Sequence, residues 1–263
     1  MDDRAFQQLL DFFGFSWSGY KKVRKGVKKR ITRHMEQLGC RHVEEYIMAL
    51  KNRDALRSEC EQLMTVSISR FFRDRGLWQT FLRDILSGII NLGVTFVNIW
   101  SAGCACGEEV YSLKIVWELL RRQFDELPMI EVLATDMNPV YLARAREGIY
   151  QPSSLKELPQ EFRPIFFQPQ KKHFSVESFL KKGISWELCN LLFDVPENRF
   201  HIIFLRNNIL TYYGAELKKR AFQNVVERLE PEGFLIIGAH ETLPSPKPEL
   251  IPFRGCPYVF QIR

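Results

Sequence analysis

From residue 94 onward, apolar runs alternate with amphipathic ones. TFVNIWSAG is apolar enough to read as a buried strand, and EEVYSLKIVWELLRRQF follows as an amphipathic helix. IEVLATD reads as a second strand. In DMNPVYLARAREG, Asn138 is a natural N-cap, Pro139 suits the first helical position and Gly148 suits the stop. Residues 150 to 192 lose this rhythm, carry prolines at 152, 159, 164 and 169, and read as an inserted subdomain. The rhythm then returns. FHIIFLRNN is expected to be a buried strand, GAELKKRAFQNVVERLEPEG a helix with a glycine exit, FLIIGAHE a further strand and PYVFQIR a last edge strand. Strands and helices in alternation predict an α/β fold, a parallel sheet wrapped by helices.

The first part of the chain follows another pattern. In YKKVRKGVKKRITRHMEQLG, Val23, Val27, Ile31, Met35 and Leu38 recur at helical spacing on one face. Lys21, Lys22, Lys25, Lys28, Lys29, Arg30 and Arg33 fall mainly on the other. Charge sharpens the contrast: residues 1 to 75 hold 16 Lys+Arg against 10 Asp+Glu, while residues 76 to 263 hold 21 of each, so the net +6 belongs to the first part. Two domains are expected, a helical one over 1–75 and an α/β one over 76–263. A charge run is ordinarily a solvated face. Residues 20 to 33, however, carry eight basic residues and no acid, and a helix built for solubility mixes signs. An acidic macromolecular partner is the expectation, an acidic protein surface or, as its rival, nucleic acid.

Composition narrows the class further. With 263 residues and 46% hydrophobic content, a sizeable core can be buried. MDDRAFQQLLDFF lacks a basic segment followed by an apolar one, and Asn91, Gly93 and Asn98 interrupt the most apolar stretch. Neither secretion nor membrane insertion is expected. Six cysteines without C-x-x-C pairs suggest reduced thiols and a cytoplasmic location, and five unclustered histidines suggest no metal.

The candidate chemistry lies in NIWSAGCACGEEVYSL, residues 98 to 113. A glycine turn between a strand and a helix commonly cradles a phosphate. Glu108 and Glu109 would repel one, and Gly103 and Gly107 fit neither phosphate-binding spacing. In an open sheet ligands sit beyond the carboxyl ends of the strands, which singles out Gly103 to Glu109, Asp136 and Arg206 to Asn208. Asp136 can accept both hydroxyls of a ribose, and since Asn138 with Pro139 supplies the N-cap, it is expected to be free for that task. Glu108 and Glu109 could accept from an ammonium group, or could simply offset the helix dipole. Cys104 and Cys106 read as turn-fillers, and no G-x-S-x-G elbow is present. A ribose acceptor, a turn averse to phosphate and acids for an ammonium together describe S-adenosylmethionine.

The strings SISRFFRD (67 to 74), IWSAGCACGEEVYSL (99 to 113), ATDMNPVYLARAREGIYQPSSLKELP (134 to 159), CNLL (189 to 192), FHIIFLRNN (200 to 208) and LEPEGFLIIGAHE (229 to 241) resemble, in order, the motifs of the CheR-type chemoreceptor glutamate methyltransferases. The resemblance covers nearly the whole chain. It implies a small all-α domain before a Rossmann-like class I S-adenosylmethionine methyltransferase domain, with a β-rich subdomain inserted at about 153–192. It also implies Arg73 at the reaction centre, Asp136 as ribose acceptor, and Glu109, Asn190, Leu191, Asn207 and Asn208 lining the cofactor pocket beside Gly103. Ser67 and Ser69 stand where the family commonly has asparagine and threonine, so hydroxyls remain but the reach is shorter. For the family's active-site tyrosine, gapless alignment offers Thr211 and a one-residue insertion restores Tyr212. Val110 replaces the proline after the glutamates, and GAHE replaces G-H-S-E.

Glutamate methylation asks little of a protein. The acceptor carboxylate, with an ordinary pKa near 4.3, is already ionised at neutral pH, so no general base is required. In-line placement of the carboxylate oxygen and the sulfonium methyl remains, and a planar arginine such as Arg73 can orient a carboxylate. The bland alternative for Arg73 is a surface salt bridge to Asp74 or Asp3. The expected partner is an acidic helical chemoreceptor docked on Lys21, Lys22, Lys25, Lys28, Lys29 and Arg33, with the protein itself a monomer and S-adenosylhomocysteine as the second product. Two other readings stay open: a methyltransferase acting on another protein or a small acid, and a module that binds cofactor or receptor without turnover.

Overall fold

Apolar runs flanked by glycine turns become strands buried on both faces, and a computed structural model of the chain shows how they are ordered. It describes residues 1–67, 69–91, 93–124 and 127–263. In chain order, helices α1 (Asp3–Phe13), α2 (Trp17–Tyr20), α3 (Arg24–Gln37), α4 (Val43–Asn52) and α5 (Asp54–Met64) come first. Helix α6 (Arg75–Thr80), a π-helical turn (Phe81–Ile85) and α7 (Leu86–Asn91) follow. Then come β1 (Phe96–Ala102), α8 (Glu108–Arg121), β2 (Met129–Asp136), α9 (Pro139–Glu147), β3 (Ile149–Tyr150), α10 (Arg163–Phe166), β4 (Phe167–Gln170), β5 (His173–Val176) and β6 (Ile184–Leu188). The chain ends with β7 (Phe200–Leu205), α11 (Ile209–Tyr212), α12 (Ala215–Val226), β8 (Leu229–Ile237), β9 (Leu250–Pro252) and β10 (Val259–Ile262).

Contacts divide the chain into two units. The first comprises Met1–Val66, Asn207–Gln223 and Leu243–Ser245, and the second Ser67–Arg206, Asn224–Thr242 and Pro246–Arg263. The break therefore falls at 66/67, not at 75/76, and the first unit takes in later chain.

The second unit is built on a seven-stranded sheet of order β6-β2-β1-β7-β8-β10-β9. The pairs β6·β2, β2·β1, β1·β7 and β7·β8 are parallel, and β10 runs antiparallel to both β8 and β9. The chain lays β1, β2 and β6 outward to one side, then returns to place β7 against the other side of β1. Strand order thus reverses at β1/β7, the kind of switch point beyond whose carboxyl strand ends open α/β sheets take their ligands. Val97, Ile99, Trp100, Ile202, Ile203, Phe234 and Leu235 are fully buried, as two covered faces require.

Three sequence expectations are corrected. PYVFQIR supplies β10, which lies between β8 and β9, so the edge strand is β9. The helix over 214–233 stops at Val226, and its supposed glycine exit, Gly233, lies within β8. A Cβ at Gly233 would stand 2.8 Å from the Glu230 carbonyl and 3.1 Å from that of His201, so the glycine permits close backbone approach beside the register shift between Phe200 and Ile202. Finally, β6, within the expected 153–192 insert, belongs to the main sheet, while the separate small sheet has the order β3-β5-β4 and begins at Ile149.

The first unit is helical. Asp2 Oδ1 caps α1 by accepting from Ala5 N at 2.7 Å, Gly14 ends it at φ 69°, and Phe6, Leu9, Leu10 and Phe13 face the core. Val27, Ile31 and Met35 of α3 are buried, with Val23 and Leu38 packed alongside. The basic stretch is not one helix from residue 20, because Ser16 starts the separate α2, accepting from Gly19 N at 3.4 Å, and residues 21 to 23 form a turn. His34, also buried on α3, meets Tyr46 Oη through Nδ1 at 2.7 Å. From the later chain, Phe15 bridges Tyr213 and stacks on it at 5.3 Å, while Tyr212 leans on Tyr20 at 5.0 Å.

Among the described residues, no helix is long and apolar enough to cross a membrane and no group of His, Cys, Asp and Glu could hold a metal. All six cysteines are free thiols.

Candidate functional site

Beyond Ala102 the chain leaves β1 through Gly103, at φ 85°, and reaches α8 through Gly107, at φ 88°. A Cβ on Gly107 would come within 3.0 Å of Ala145 Cβ and of the Trp186 ring, so glycine is required there on both conformational and steric grounds. Gly103 N and Cys104 N both donate to the Thr135 carbonyl at 2.8 Å, which fastens the turn to the end of β2. Cys104 and Cys106 are buried, and burial pushes both thiols up, Cys106 to about 11, so neither supplies a thiolate nucleophile.

Asp136 closes β2. It is not free, as the N-cap reasoning had it, for Oδ1 accepts from Asn138 N and Oδ2 from Ala105 N, each at 2.9 Å. The carboxylate ties the glycine turn to the start of α9, where Asn138 Oδ1 does the capping, accepting from Val140 N at 3.0 Å. Burial pushes the Asp136 pKa up, and the backbone N–H donors pull against that shift. Met137 N–H is a third backbone donor to this carboxylate, and of its about four acceptor sites at least one is left for a ligand hydroxyl. The Asp136 carbonyl also accepts from Cys189 N at 3.1 Å, which brings Asn190 and the buried Leu191 beside the end of β2. Asn190 Oδ1 meanwhile accepts from Leu192 N at 3.1 Å.

The two glutamates that open α8 have different fates. Glu109 has both carboxylate oxygens engaged: Ser101 Oγ donates to Oε1 at 2.8 Å and Arg206 Nη1 donates to Oε2 at 2.7 Å. Glu108 is 5% exposed, its Oε1 accepts from Ser154 Oγ at 3.4 Å, and its Oε2 is buried without a partner among the described residues. Burial is the main cause of its raised pKa, against which hydrogen bonding to the Ser69 side chain acts. Ser67 acts in the same downward sense on Cys106. Both serines are half-buried next to the α8 turn.

Arg73 lies in a sharp bend whose neighbours Phe72 and Asp74 have φ values of 54° and 61°. Its carbonyl accepts from Trp78 Nε1 at 3.0 Å and from Arg206 Nη2 at 3.3 Å. Asp74 pairs with Arg206 at 2.7 Å, and Asp3 with Lys28 at 2.8 Å and Arg24 at 3.2 Å. Arg206, with a side chain 3% exposed, was visible in sequence as a charge at the end of a buried strand, yet nothing there named its partners.

The second unit thus gathers Ser67, Ser69, Arg73, Gly103, Glu109, Asp136, Asn190 and Leu191. The remaining candidates belong to the first unit. There Asn207 has φ 56°, Asn208 Oδ1 accepts from Ile209 N at 2.6 Å to cap α11, and Tyr212 is half-buried. Lys21 and Lys22 of the turn and Lys25, Lys29 and Arg33 of α3 are exposed, whereas Lys28 is held by Asp3, whose carboxyl it keeps below the usual range. Arg30 is structural, donating to the Leu63 carbonyl at 2.7 Å and that of Thr65 at 2.8 Å, at the end of α5.

A turn closed by glycines and ringed with carboxylates, carrying a hydroxyl acceptor at the end of the next strand, suits a cationic nucleoside and not a phosphate. A family model described as "CheR methyltransferase, SAM binding domain" matches residues 67–259. The "Chemotaxis protein methyltransferase" of Listeria monocytogenes is 33% identical over 204 residues, 77% of this chain and 75% of that one. "Chemotaxis protein methyltransferase 1" of Pseudomonas aeruginosa is 27% identical over 224 residues, covering 82% and 81%. Among solved structures, the N-methyltransferase NodS of Bradyrhizobium japonicum in complex with S-adenosyl-L-homocysteine aligns with 63% of each chain at 18% identity and a TM-score of 0.37, too slight a likeness to bear on any residue.

Proposed function

Since this chain belongs to the CheR methyltransferase family and carries its S-adenosylmethionine-binding domain, we propose that it methylates glutamate side chains of a chemoreceptor-like protein. The products are a glutamate methyl ester and S-adenosylhomocysteine. The observation that carries the reading is the Asp136 carboxylate, fixed by Ala105 N and Asn138 N at the mouth of a turn that excludes phosphate. The relatives' names, which speak of chemotaxis methyltransferases, support the choice of acceptor.

When bound, S-adenosylmethionine supplies an electrophilic methyl on sulfur. The residues of the chain then place and shield the reactants. Asp136 accepts from the ribose hydroxyls. Arg73, held in its bend, presents a planar fork that orients a carboxylate. Local acidity from Asp136, Asp74 and Glu109 favours a cation at the site, and the acceptor glutamate arrives ionised, so no protein base removes a proton. Holding the two groups in line supplies up to about 7–11 kcal/mol of the barrier reduction in favourable cases. Exposed Lys21, Lys22, Lys25, Lys29 and Arg33 meet the acidic face of the acceptor.

Transfer of a tritiated methyl group into a panel of chemoreceptor fragments tests this reading. Label released by mild base marks an ester and supports it. Base-stable label means a different acceptor group, and cofactor binding without any transfer means a non-catalytic module.

A further inference from the structure

Arg73 sits in a conformation that its own neighbourhood in sequence does not favour. Phe72 and Asp74, on either side of it, both occupy the left-handed region, where non-glycine residues persist only when surrounding contacts over-determine them. Some of those contacts come from the backbone, since Phe71 N donates to the Ser154 carbonyl at 3.0 Å and Phe72 N to Ser112 Oγ at 2.9 Å. Those bonds fix the approach to the bend. On its far side Trp78 Nε1 donates to the Arg73 carbonyl at 3.0 Å and Leu77 N to the Asp74 carbonyl at 2.8 Å, and Arg206 adds a charged clamp from the sheet. Arg206 projects from the end of β7, braced by Glu109 at 2.7 Å, which is itself braced by Ser101 of β1 at 2.8 Å. From that base its second terminal nitrogen reaches Asp74 Oδ2 at 2.7 Å and the Arg73 carbonyl at 3.3 Å. A guanidinium buried between two carboxylates has fixed geometry, because its planar fork admits few arrangements.

We propose that Arg206 and Asp74 are positioning residues, which lock the bend around Arg73 to the carboxyl end of β7 and so aim the Arg73 guanidinium. The inference rests on the reading of Arg73 as the group that orients the reacting carboxylate. It also assigns Glu109 a role through Arg206, since both of its oxygens are engaged within the protein.

Asp74→Asn is the informative variant, because Asp74 is partly exposed and its amide counterpart keeps the shape while losing the charge. Removing Arg206 would strand two acids and could unfold the chain. The expected result is a fall in kcat of roughly tenfold to a hundredfold with the cofactor KM changed less than about threefold. In an Arg73→Ala background the same change should cost less than about twofold, because a residue that acts through Arg73 has nothing left to aim. An equal loss in both backgrounds, or no loss in either while Arg73→Ala remains damaging, overturns the positioning role and leaves the methyltransferase reading intact. If Arg73→Ala is itself silent, the reading of Arg73 fails first and the proposal falls with it. Amide hydrogen exchange over residues 70–78 needs no acceptor: it should quicken in Asp74→Asn, and unchanged exchange overturns the proposal whatever the activity.

Discussion

Asp136 carries two loads, and its replacement separates them. The carboxylate accepts from two backbone N–H groups that knit the glycine turn to α9, and in the proposed function it also accepts from a ribose. Asp136→Ala should cost charge-assisted bonds worth about 1.5–3 kcal/mol, weakening S-adenosylmethionine roughly tenfold to a hundredfold by calorimetry, and should lower Tm as well. A folded variant with unchanged affinity removes Asp136 from the ribose. Glu108 offers a second measurement. Burial raises its pKa above the ordinary glutamate value, so the folded chain holds a proton that the unfolded chain releases. No stability is lost below the ordinary value. As pH rises from there through the raised folded value, stability falls, since the folded state then binds more protons. Glu108→Gln, which imitates the protonated carboxyl, should therefore gain in Tm relative to the parent over the range of pH that rises from the ordinary glutamate value through the raised folded one. A Tm difference constant across that range rules out a shifted Glu108. The sequence showed both residues, because acids after a glycine turn and at a strand end are conspicuous. It could not show that Asp136 and Glu109 are engaged by groups distant along the chain, since Ala105 and Arg206 meet them only through the sheet.

Helix α3 and the turn before it bear the exposed charge, and their side chains sort by what they touch. Arg24 and Lys28 are drawn to Asp3 and Arg30 to the end of α5, which leaves Lys21, Lys25 and Lys29 exposed. Reversing those three to glutamate should raise the acceptor KM while sparing cofactor affinity. Methylation by the parent should also weaken with salt, as the Debye length falls from about 10 Å at 0.1 M to about 3 Å at 1 M, and the variant should show a flatter dependence. Unaltered acceptor kinetics would return the face to the solvent, and loss of salt-sensitive DNA or RNA retention would favour the rival partner. On α11, Tyr212 Oη is the only part removed by Tyr212→Phe, whose ring contact with Tyr20 would survive. Turnover should drop if Tyr212 fills the tyrosine position of the family, and should hold if Thr211 does. Periodicity found the apolar face of α3 but not the turn at 21–23 before it, because Val23 keeps the apolar spacing through the turn and the lysines beside it carry no turn signal. Likewise Gly233 looked like a helix stop, since a glycine at a close backbone approach and one at a C-cap are identical in sequence.

At the scale of the whole molecule, the parallel core was legible because strands buried on both faces are long apolar runs, whereas strand order was not. Nothing in PYVFQIR marks it as an interior strand; β9, which covers it, is only Leu250–Pro252. Nor did composition show that the helical unit borrows later chain. The charge boundary lay near residue 75, but the packing boundary lies at 66/67, with Asn207–Gln223 returning to the helices. That return has a consequence for synthesis. A ribosome releases α1 to α5 first, yet the stacking of Tyr213 on Phe15 and the bonds from Gly214 N to the Gly14 carbonyl and from Ser16 N to the Tyr212 carbonyl, each 2.8 Å, await chain made much later. At about 5–20 residues per second, the interval is on the order of ten seconds. The unit that holds α1 to α5 thus emerges long before it can close, since part of its packing is made of chain that follows β7. Stalled nascent chains should keep residues 1–66 open to protease until residue 223 has cleared the exit tunnel, and protection at shorter lengths would show that the helices close without their missing piece.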